Sequence, residues 1–523
     1  MKTKFYLSFL YKFLLLLFLL PSITTAQDDF NLIATMRGDS TGDEFDIVSY
    51  IGDVNADGYD DVIVGAPGGD YVKLYFGGEV FDTIPDLTFR DYKETNCRFG
   101  CSIAGDGDVN GDGYPDIIIG ASATWIGPSC PYECLVTGAA YVYYGGPGID
   151  TTADLTLIVG SWEESTGWNY GFGKSVTIPG DLNGDGYDDF AVGAPNDDYD
   201  AHGRVFIYYG GPNVDDQYDV LLEGEEVFDN FGLSLSAVGD INKDGFDDLL
   251  IGAPMFHNNY PGKTYQGGKA YLVYGSNNLS LTNSEEFLSD SSLYYYGDVV
   301  AGLGDVNGDS NLDFGIMSFY YFNIFSGNDF QNIISIHPAK DLGFIGGLND
   351  LNKDGYDDFV YVSDSAKIYF GKITLDTIPN YVFPWATSVC NSGNLNKDEN
   401  IEIALAVGGG WDPNGKVYIY SYGKINSIDE EHIYTPKGYN LFQNYPNPFN
   451  NSTIIRYSIP KEGIVTLSIF NIVGEEVVTL VNWTKQAGNY EVAFNSKSLT
   501  SGVYFCRLRS GNIILNNKLV LLK

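Results

Sequence analysis

Histidine is nearly absent: His202, His257, His337 and His432 are the only four in 523 residues, and they are scattered. A zinc centre built on imidazoles, or a Ser-His-Asp machine, has little raw material in such a chain. Basic residues are also scarce, 29 Lys and Arg against 69 Asp and Glu, for a net charge of -40. A polyanionic surface repels phosphates instead of releasing their counterions, which excludes nucleic acid as a non-specific partner. Beyond residue 26 no apolar run approaches the roughly 20 residues that a membrane-spanning helix needs, so no transmembrane span is expected. What remains is rich in apolar side chains (44%), aromatics (15%) and glycine (63 residues). That composition supports a large core, and excludes both a disordered chain and a small disulfide-stapled scaffold.

Residues 1–26 read as an export signal peptide: lysines at 2, 4 and 12, an apolar run from Phe13 to Leu20, then Pro21 and the small-residue end Thr24-Thr25-Ala26. Cleavage is expected after Ala26. Charge divides the rest. Residues 441–523 hold four acids (Glu462, Glu475, Glu476, Glu491) and eight bases (Arg456, Lys461, Lys485, Lys497, Arg507, Arg509, Lys518, Lys523), a net of +4, and no aspartate. Residues 1–440 therefore carry -44. A composition boundary this sharp implies two domains, with 27–424 as the first, 425–440 as a linker and 441–523 as the second.

One nine-residue phrase recurs in the acidic part, starting at 53, 108, 181, 240, 305, 350 and 394: DVNADGYDD, DVNGDGYPD, DLNGDGYDD, DINKDGFDD, DVNGDSNLD, DLNKDGYDD and NLNKDENIE. Spacings of 44 to 73 residues suit one propeller blade or solenoid unit per repeat. After each phrase comes a short apolar run, as in VIVGAP (62–67), IIIGAS (117–122), FAVGAP (190–195) and LLIGAP (249–254), and these are buried strands. A third, aromatic strand follows (VKLYFGG, AAYVYYGG, GRVFIYYGG), then a fourth such as DVLLEG (219–224). An aromatic-Gly pair often precedes the phrase, as at Phe99-Gly100, Phe172-Gly173, Phe231-Gly232 and Tyr296-Gly297. Four strands per unit, seven units and no amphipathic helix predict an all-β fold, a seven-bladed β-propeller. Residues 28–37 resemble a fourth strand without its blade, while the seventh repeat ends at its third strand near Tyr422. The N-terminal strand is expected to complete the last blade and close the ring.

Within the phrase, Asp or Asn at positions 1, 3 and 5, a backbone carbonyl at 7 and a carboxylate at 9 place hard oxygen donors around one cation, and Gly at 6 permits a left-handed turn. The candidate ligands are Asp53, Asn55, Asp57, Tyr59 and Asp61 in loop 1; Asp108, Asn110, Asp112, Tyr114 and Asp116 in loop 2; Asp181, Asn183, Asp185, Tyr187 and Asp189 in loop 3. Loop 4 offers Asp240, Asn242, Asp244, Phe246 and Asp248; loop 5 Asp305, Asn307, Asp309, Asn311 and Asp313, with Ser310 at the turn; loop 6 Asp350, Asn352, Asp354, Tyr356 and Asp358. Calcium suits a flexible all-oxygen site better than magnesium. Loop 7 has only Asp398 and Glu402 as carboxylates at these positions, beside Asn394 and Asn396, and is expected to be weakest or empty, leaving about six calcium sites. An EF-hand or dockerin-like loop would place an acid at position 12. Here that position is Val64, Ile119, Val192, Ile251, Ile316, Tyr361 or Leu405, inside the following strand.

With aromatic-Gly, calcium phrase and GAP or GAS in order, residues 28 to about 424 resemble FG-GAP repeats, the units of the integrin alpha-chain propeller. The resemblance implies calcium ions in strand-connecting loops that stiffen the ring, with ligands on a different face. Repeat 1 departs from it with Phe45-Asp46, and repeats 5 to 7 lack the GAP triplet.

The tail pattern includes Asn444-Tyr445-Pro446-Asn447-Pro448-Phe449-Asn450, alternating runs such as IIRYSI and VTLSIF, and a closing Lys518-Leu519-Val520-Leu521-Leu522-Lys523. Alternation predicts a small Ig-like β-sandwich. The pattern resembles the C-terminal sorting domain of the type IX secretion system of Bacteroidetes-like, Gram-negative bacteria. It implies that residues 441–523 engage that machinery and that the protein is secreted or held at the cell surface.

Cys97, Cys101, Cys130 and Cys134 form two C-x3-C pairs with three possible pairings; export favours disulfides over a four-thiolate zinc site. Arg37-Gly38-Asp39-Ser40 contains the tripeptide that animal integrins recognise, and reads as a loop between strands. The leading function is a non-catalytic, calcium-stabilised adhesion or binding protein for an extracellular protein or glycan, with no catalytic constellation in view. The alternatives are an extracellular polysaccharide-processing enzyme and a structural surface-layer component. Insertions at 122–138, with Trp125, and 255–268 are the candidate specificity loops.

Overall fold

The structure is a computed structural model. It describes residues 29–523 apart from 91–96, 123–137, 160–170, 196–201, 257–266, 289–294, 320, 338–342, 364, 385, 399, 409–413, 424–438, 442–443, 445–446, 451, 462, 486–487, 497–498 and 512. The expected signal peptide, Cys130, Cys134, and Trp125 with most of both candidate specificity loops lie outside the described residues.

Chain contacts divide the molecule into Met1–Lys424 and Ile425–Lys523. Among the described residues of the first unit, seven antiparallel sheets, each of four strands, follow one another along the sequence. Their first strands are Ile47–Tyr50, Phe99–Gly107, Ser175–Gly180, Leu235–Gly239, Val300–Gly304, Phe344–Asn349 and Ser388–Gly393. Each of these touches the next, and Ser388–Gly393 returns to Ile47–Tyr50, so the sheets form a closed cycle. This is the architecture of a β-propeller. The seventh sheet takes its outer strand from the N-terminus: Phe30–Arg37 pairs antiparallel with Lys416–Tyr422, Phe30 opposite Tyr422 and Arg37 opposite Lys416. The expected closure by the N-terminal strand is present.

The second strand of each sheet is apolar on both faces because both faces are covered. Val62–Ala66, Asp116–Ala121, Asp189–Ala194 and Asp248–Ala253 are buried throughout. Seven buried clusters fill the gaps between neighbouring sheets, such as Ile63, Val72 and Phe89 of the first sheet against Phe99, Ile117 and Ile119 of the second. Burial of this kind stabilises by roughly 25 cal/mol per Å² of apolar surface, and it links every sheet to two others.

The FG and GAP glycines meet across these junctions. A Cβ on Gly65 would lie 2.3 Å from the carbonyl oxygen of Gly100, the FG glycine of the next sheet, which itself has φ +89°. The same close approach recurs between Gly120 and Gly173, Gly193 and Gly232, and Gly252 and Gly297. Any side chain there would force neighbouring sheets apart. Met317, Val362 and Ala406 occupy the glycine's place in the last three sheets, where the FG pair is also modified or missing.

The described residues of the second unit form two antiparallel sheets: Asn440–Leu441, Ser452–Ile459 and Gly488–Asn495; and Glu476–Lys485, Gly463–Phe470, Gly502–Ser510 and Ile513–Leu521. Alternate residues of the strands, among them Tyr457, Ile459, Leu467, Ile469, Leu508 and Leu519, share one buried cluster, making a small sandwich.

Candidate cation loops

Every phrase connects the first strand of its sheet to the second, so all seven lie at one end of their sheets. Inside the loop the position-1 carboxylate acts as a hub. Asp53 accepts from the N–H of Asp57 (3.0 Å) and of Gly58 (2.7 Å), and Asp57 accepts from the N–H of Tyr59 (3.0 Å). Asn55 accepts from the Asp57 N–H through Oδ1 (2.8 Å) and donates through Nδ2 to Asp57 Oδ2 (2.9 Å). Loops 2, 3 and 4 repeat this pattern, with Asp108, Asp181 and Asp240 as hubs. Gly58 at position 6 has φ +91°, and its counterparts Gly113, Gly186, Gly245 and Gly355 lie between +91° and +94°. This left-handed turn favours glycine, as the sequence suggested. Loop 5 makes the same turn with Ser310 at φ +65°, whose N–H still reaches Asp305 (2.8 Å).

Position 9 is placed differently from positions 1, 3 and 5. Asp61 is fully buried; one oxygen accepts from the Val54 N–H (2.9 Å) and the other from the Gly77 N–H beyond the third strand (2.8 Å). Asp116, Asp189, Asp248, Asp313 and Asp358 make the corresponding bridges to the third strand through Gly145, Gly210, Gly275, Gly327 and Gly371. These carboxylates therefore brace the loop against its own sheet. Burial pushes each of them up to about 7, with backbone N–H donors opposing and, for Asp61, the charges of Asp57 and Asp53 adding to the rise. Loop 7 has Glu402 in this place, buried and likewise raised to about 7 by burial.

Among the described residues no group of three or more His, Cys, Asp or Glu side chains is arranged as a metal cluster. The donor chemistry nevertheless fits a hard cation: each of loops 1 to 6 presents two carboxylates and an amide oxygen within five residues, with no cationic group among its nine residues apart from Lys243 in loop 4 and Lys353 in loop 6. A bound Ca²⁺ would compete with the loop's own N–H donors for those oxygens. The residues at position 12 all lie in second strands, among them Val64 in Val62–Ala66 and Leu405 in Ile401–Val407, which fits a loop feeding a strand.

Two acidic features escaped sequence reasoning. The first is position 8, whose aspartates reach into the neighbouring loop: the Asp181 N–H donates to Asp247 Oδ2 (2.9 Å), and the Asp108 N–H to Asp188 Oδ2 (2.8 Å). The second is an Asp-x-x-x-Asp element between third and fourth strands. In it Asp82 accepts from the Ile84 N–H (2.7 Å) and Asp86 from the Phe76 N–H (2.8 Å). Asp150 with Asp154, and Asp215 with Asp219, do the same. The recurrence of this second spacing was visible in the sequence. Cys97, Cys101, Cys390 and Cys506 form no disulfide with one another, and the expected partners Cys130 and Cys134 lie outside the described residues.

Comparisons with known proteins agree with this layout. The FG-GAP repeat family matches residues 50–81, 99–126, 172–208 and 231–273, covering the first four phrases and the strands that follow them. The secretion system C-terminal sorting domain matches residues 443–522. Among curated proteins, human integrin alpha-7 is 38% identical over 176 residues, spanning 32% of this chain and 13% of the integrin. Integrin alpha-5 of Xenopus laevis is 32% identical over 213 residues (39% and 19%), and integrin alpha-PS2 of Drosophila melanogaster 31% identical over 252 (46% and 17%). The match thus spans less than a fifth of each of these relatives. A solved structure of BBS1N in complex with ARL6DN, soaked with lead, aligns with 74% of this chain and 97% of its own at 9% identity and a TM-score of 0.45. Among the described residues no helix is long and apolar enough to cross a membrane. The chain carries FG-GAP repeats, similar to those of integrin alpha chains, within residues 50–273, and its C-terminal sorting domain marks it for type IX secretion to the cell surface or the extracellular space.

Proposed function

We propose that this secreted protein is a non-catalytic binding or adhesion module whose propeller is stiffened by about six calcium ions, one in each of loops 1 to 6. The observation that carries the reading is the recurrence of one oxygen-donor loop, with carboxylates at positions 1 and 5 turned into the same nine residues, at the same end of each sheet. Mutual repulsion of these carboxylates costs free energy that a divalent cation would relieve. In this reading the ligands are the side chains at positions 1, 3, 5 and 9 and the carbonyl at 7, with position 9 exchanging a backbone partner for the ion. Integrin alpha chains bearing such repeats bind divalent cations, which supports the assignment by resemblance.

Adhesion is favoured over catalysis because the acids are already engaged: those of the phrases in the loops, and those of the Asp-x-x-x-Asp elements in strand connections. The partner is an extracellular protein or glycan, met on a face other than the loop face. Calorimetric titration of the mature protein with Ca²⁺, with melting followed in calcium and in chelator, tests the cation reading. About six bound ions and a large rise in melting temperature are expected; no binding would sink it. Protein and glycan arrays test the partner, and turnover of a polysaccharide would establish the enzymatic alternative instead.

A further inference from the structure

Consecutive cation loops are interlocked chiefly through position 8, which is not itself a ligand position. Where loop 3 meets loop 4, the Asp181 N–H donates to Asp247 Oδ2 (2.9 Å) and the Asp247 N–H returns to the Asp181 carbonyl (2.9 Å). Phe246, at position 7, lies so close over Gly184, at position 4, that a Cβ there would come within 2.4 Å of its ring. Residues 7 and 8 of one loop thus grip residues 4 and 1 of the loop before it. Loops 5 and 6 repeat the grip: Asp305 N–H to Asp357 (2.7 Å), Asp357 N–H to the Asp305 carbonyl (3.1 Å), Tyr356 over Gly308. Loops 2 and 3 share the Asp108–Asp188 bond (2.8 Å) and the Gly111–Tyr187 contact. Across the ring closure the Asn394 N–H donates to Asp60 (2.8 Å), and Lys397 sits 4.8 Å over the Tyr59 ring.

The remaining junctions cannot make this bond. Position 8 is Pro115 in loop 2, Leu312 in loop 5 and Ile401 in loop 7, none of which offers a carboxylate.

We propose that Asp60, Asp188, Asp247 and Asp357 are positioning residues for the cation loop of the preceding blade. They divide the ring into three coupled groups: loops 7 and 1; loops 2, 3 and 4; and loops 5 and 6. The inference rests on the calcium reading above. A cation that orders positions 7 and 9 of one loop fixes position 8 between them, and position 8 fixes the backbone of the position-1 ligand next door. Binding in one loop therefore prepares its neighbour through position 8, and this route ends wherever position 8 is Pro, Leu or Ile; at the loop 4–loop 5 junction Lys243 Nζ still donates to the Ser310 carbonyl (2.8 Å), a contact that holds no position-1 ligand.

The test is hydrogen exchange of the full mature chain, read by mass spectrometry peptide by peptide across a Ca²⁺ titration, which gives a separate midpoint for each loop. In the unaltered protein loops 2, 3 and 4 are expected to gain protection at a common midpoint. Asp247→Leu, copying the residue natural to loop 5, should raise the loop 3 midpoint by about tenfold, a usual size for coupling between sites, and leave loops 5 and 6 unmoved. Asp247→Asn keeps an acceptor oxygen and should shift it less. Leu312→Asp should bring loops 4 and 5 to a shared midpoint, a gain that general destabilisation cannot imitate. A loop 3 midpoint unchanged in Asp247→Leu, or loops 4 and 5 still independent in Leu312→Asp, overturns the inference while leaving calcium binding intact. No calcium-dependent protection in any loop of the unaltered protein overturns the calcium reading and the coupling with it.

Discussion

The carboxylate of Asp39 lies 2.6 Å from the ammonium of Lys73, a side chain only 8% exposed. The Asp39 N–H donates to Tyr71 Oη (2.8 Å), Tyr71 in turn donates to Asp43 (2.7 Å), and Arg90 approaches the second oxygen of Asp39 at 3.5 Å. Lys73 also stands 5.3 Å over Phe45 and 5.1 Å over Tyr71. The aspartate of Arg37-Gly38-Asp39 is therefore committed to the first blade, and its neutralisation would leave a buried cation unpaired. Asp39→Ala is expected to lower unfolding stability by about 2 kcal/mol, as removal of one partner of a largely buried pair does, measured by denaturant titration. In any cell-attachment assay that the protein supports, a soluble Arg-Gly-Asp peptide should not compete. Competition by that peptide would return the motif to the list of functional elements.

Phe30 is the corresponding anchor at the ring closure. Its ring meets Tyr381 and Phe383 of the sixth sheet edge-on at 5.0 and 5.1 Å, and Tyr422 of the seventh at 4.8 Å. A single side chain of the N-terminal strand thus joins two blades besides completing one of them. Phe30→Ala should cost about 3 kcal/mol, the usual scale for emptying a buried aromatic site. Deleting residues 28–37 should lower the melting temperature of the whole ring in one transition, because an unpaired Lys416–Tyr422 strand exposes an edge. An unchanged melting temperature after the deletion would contradict closure by this strand.

Ser310 shows how a loop can keep its geometry without its glycine. Its φ of +65° matches the turn that glycine makes in the other loops, its N–H still serves Asp305, and its carbonyl accepts from Lys243 of loop 4 (2.8 Å). A serine held in the left-handed region carries strain of about 1 kcal/mol. Ser310→Gly should relieve part of it, but glycine also loses more conformational freedom on folding. The net change expected is a gain of no more than about 1 kcal/mol in chelator, with loop 5 binding calcium at a lower midpoint. A destabilised Ser310→Gly would mean that the hydroxyl has a role that its backbone bonds do not show.

The strands, their order and the repeated loop were legible because they are local. Each phrase names its own turn, and the run after it names its own strand. Position 8 was not legible in this way. Asp247 differs in nothing from Asp248 along the sequence, yet one reaches 66 residues back to Asp181 while the other braces its own sheet through Gly275. The same holds for the FG and GAP glycines: the motif was readable, but its cause, a backbone of one blade lying against a backbone of the next, is a contact over some 35 to 53 residues. Part of the acidic excess lies outside the nine-residue phrases: Asp82, Asp86, Asp150, Asp154, Asp215 and Asp219 cap strand connections through backbone N–H groups.

Asp298, just after the aromatic-Gly pair of the fifth blade, gives a pH dependence separable from the loops. Burial pushes its carboxyl up to about 6, with only the charge of Lys174 opposing. A carboxyl whose folded pKa exceeds its unfolded value of about 3.9 is preferred protonated by the fold. Its contribution is complete below about pH 4 and is lost as pH rises through about 6. Asp298→Asn cannot ionise, so it should match the wild type near pH 4 and exceed it at pH 7 by on the order of 1–2 kcal/mol, after discounting for solvent screening. Chemical denaturation of both proteins at the two pH values, in the same chelator, measures this as a difference from which the titration of the loop carboxylates cancels. Asp46, raised to about 6 by burial and the neighbouring Glu44 charge, should behave alike. An advantage for Asp298→Asn that is equal at both pH values would show that packing, and not the ionised carboxylate, is what the substitution relieves.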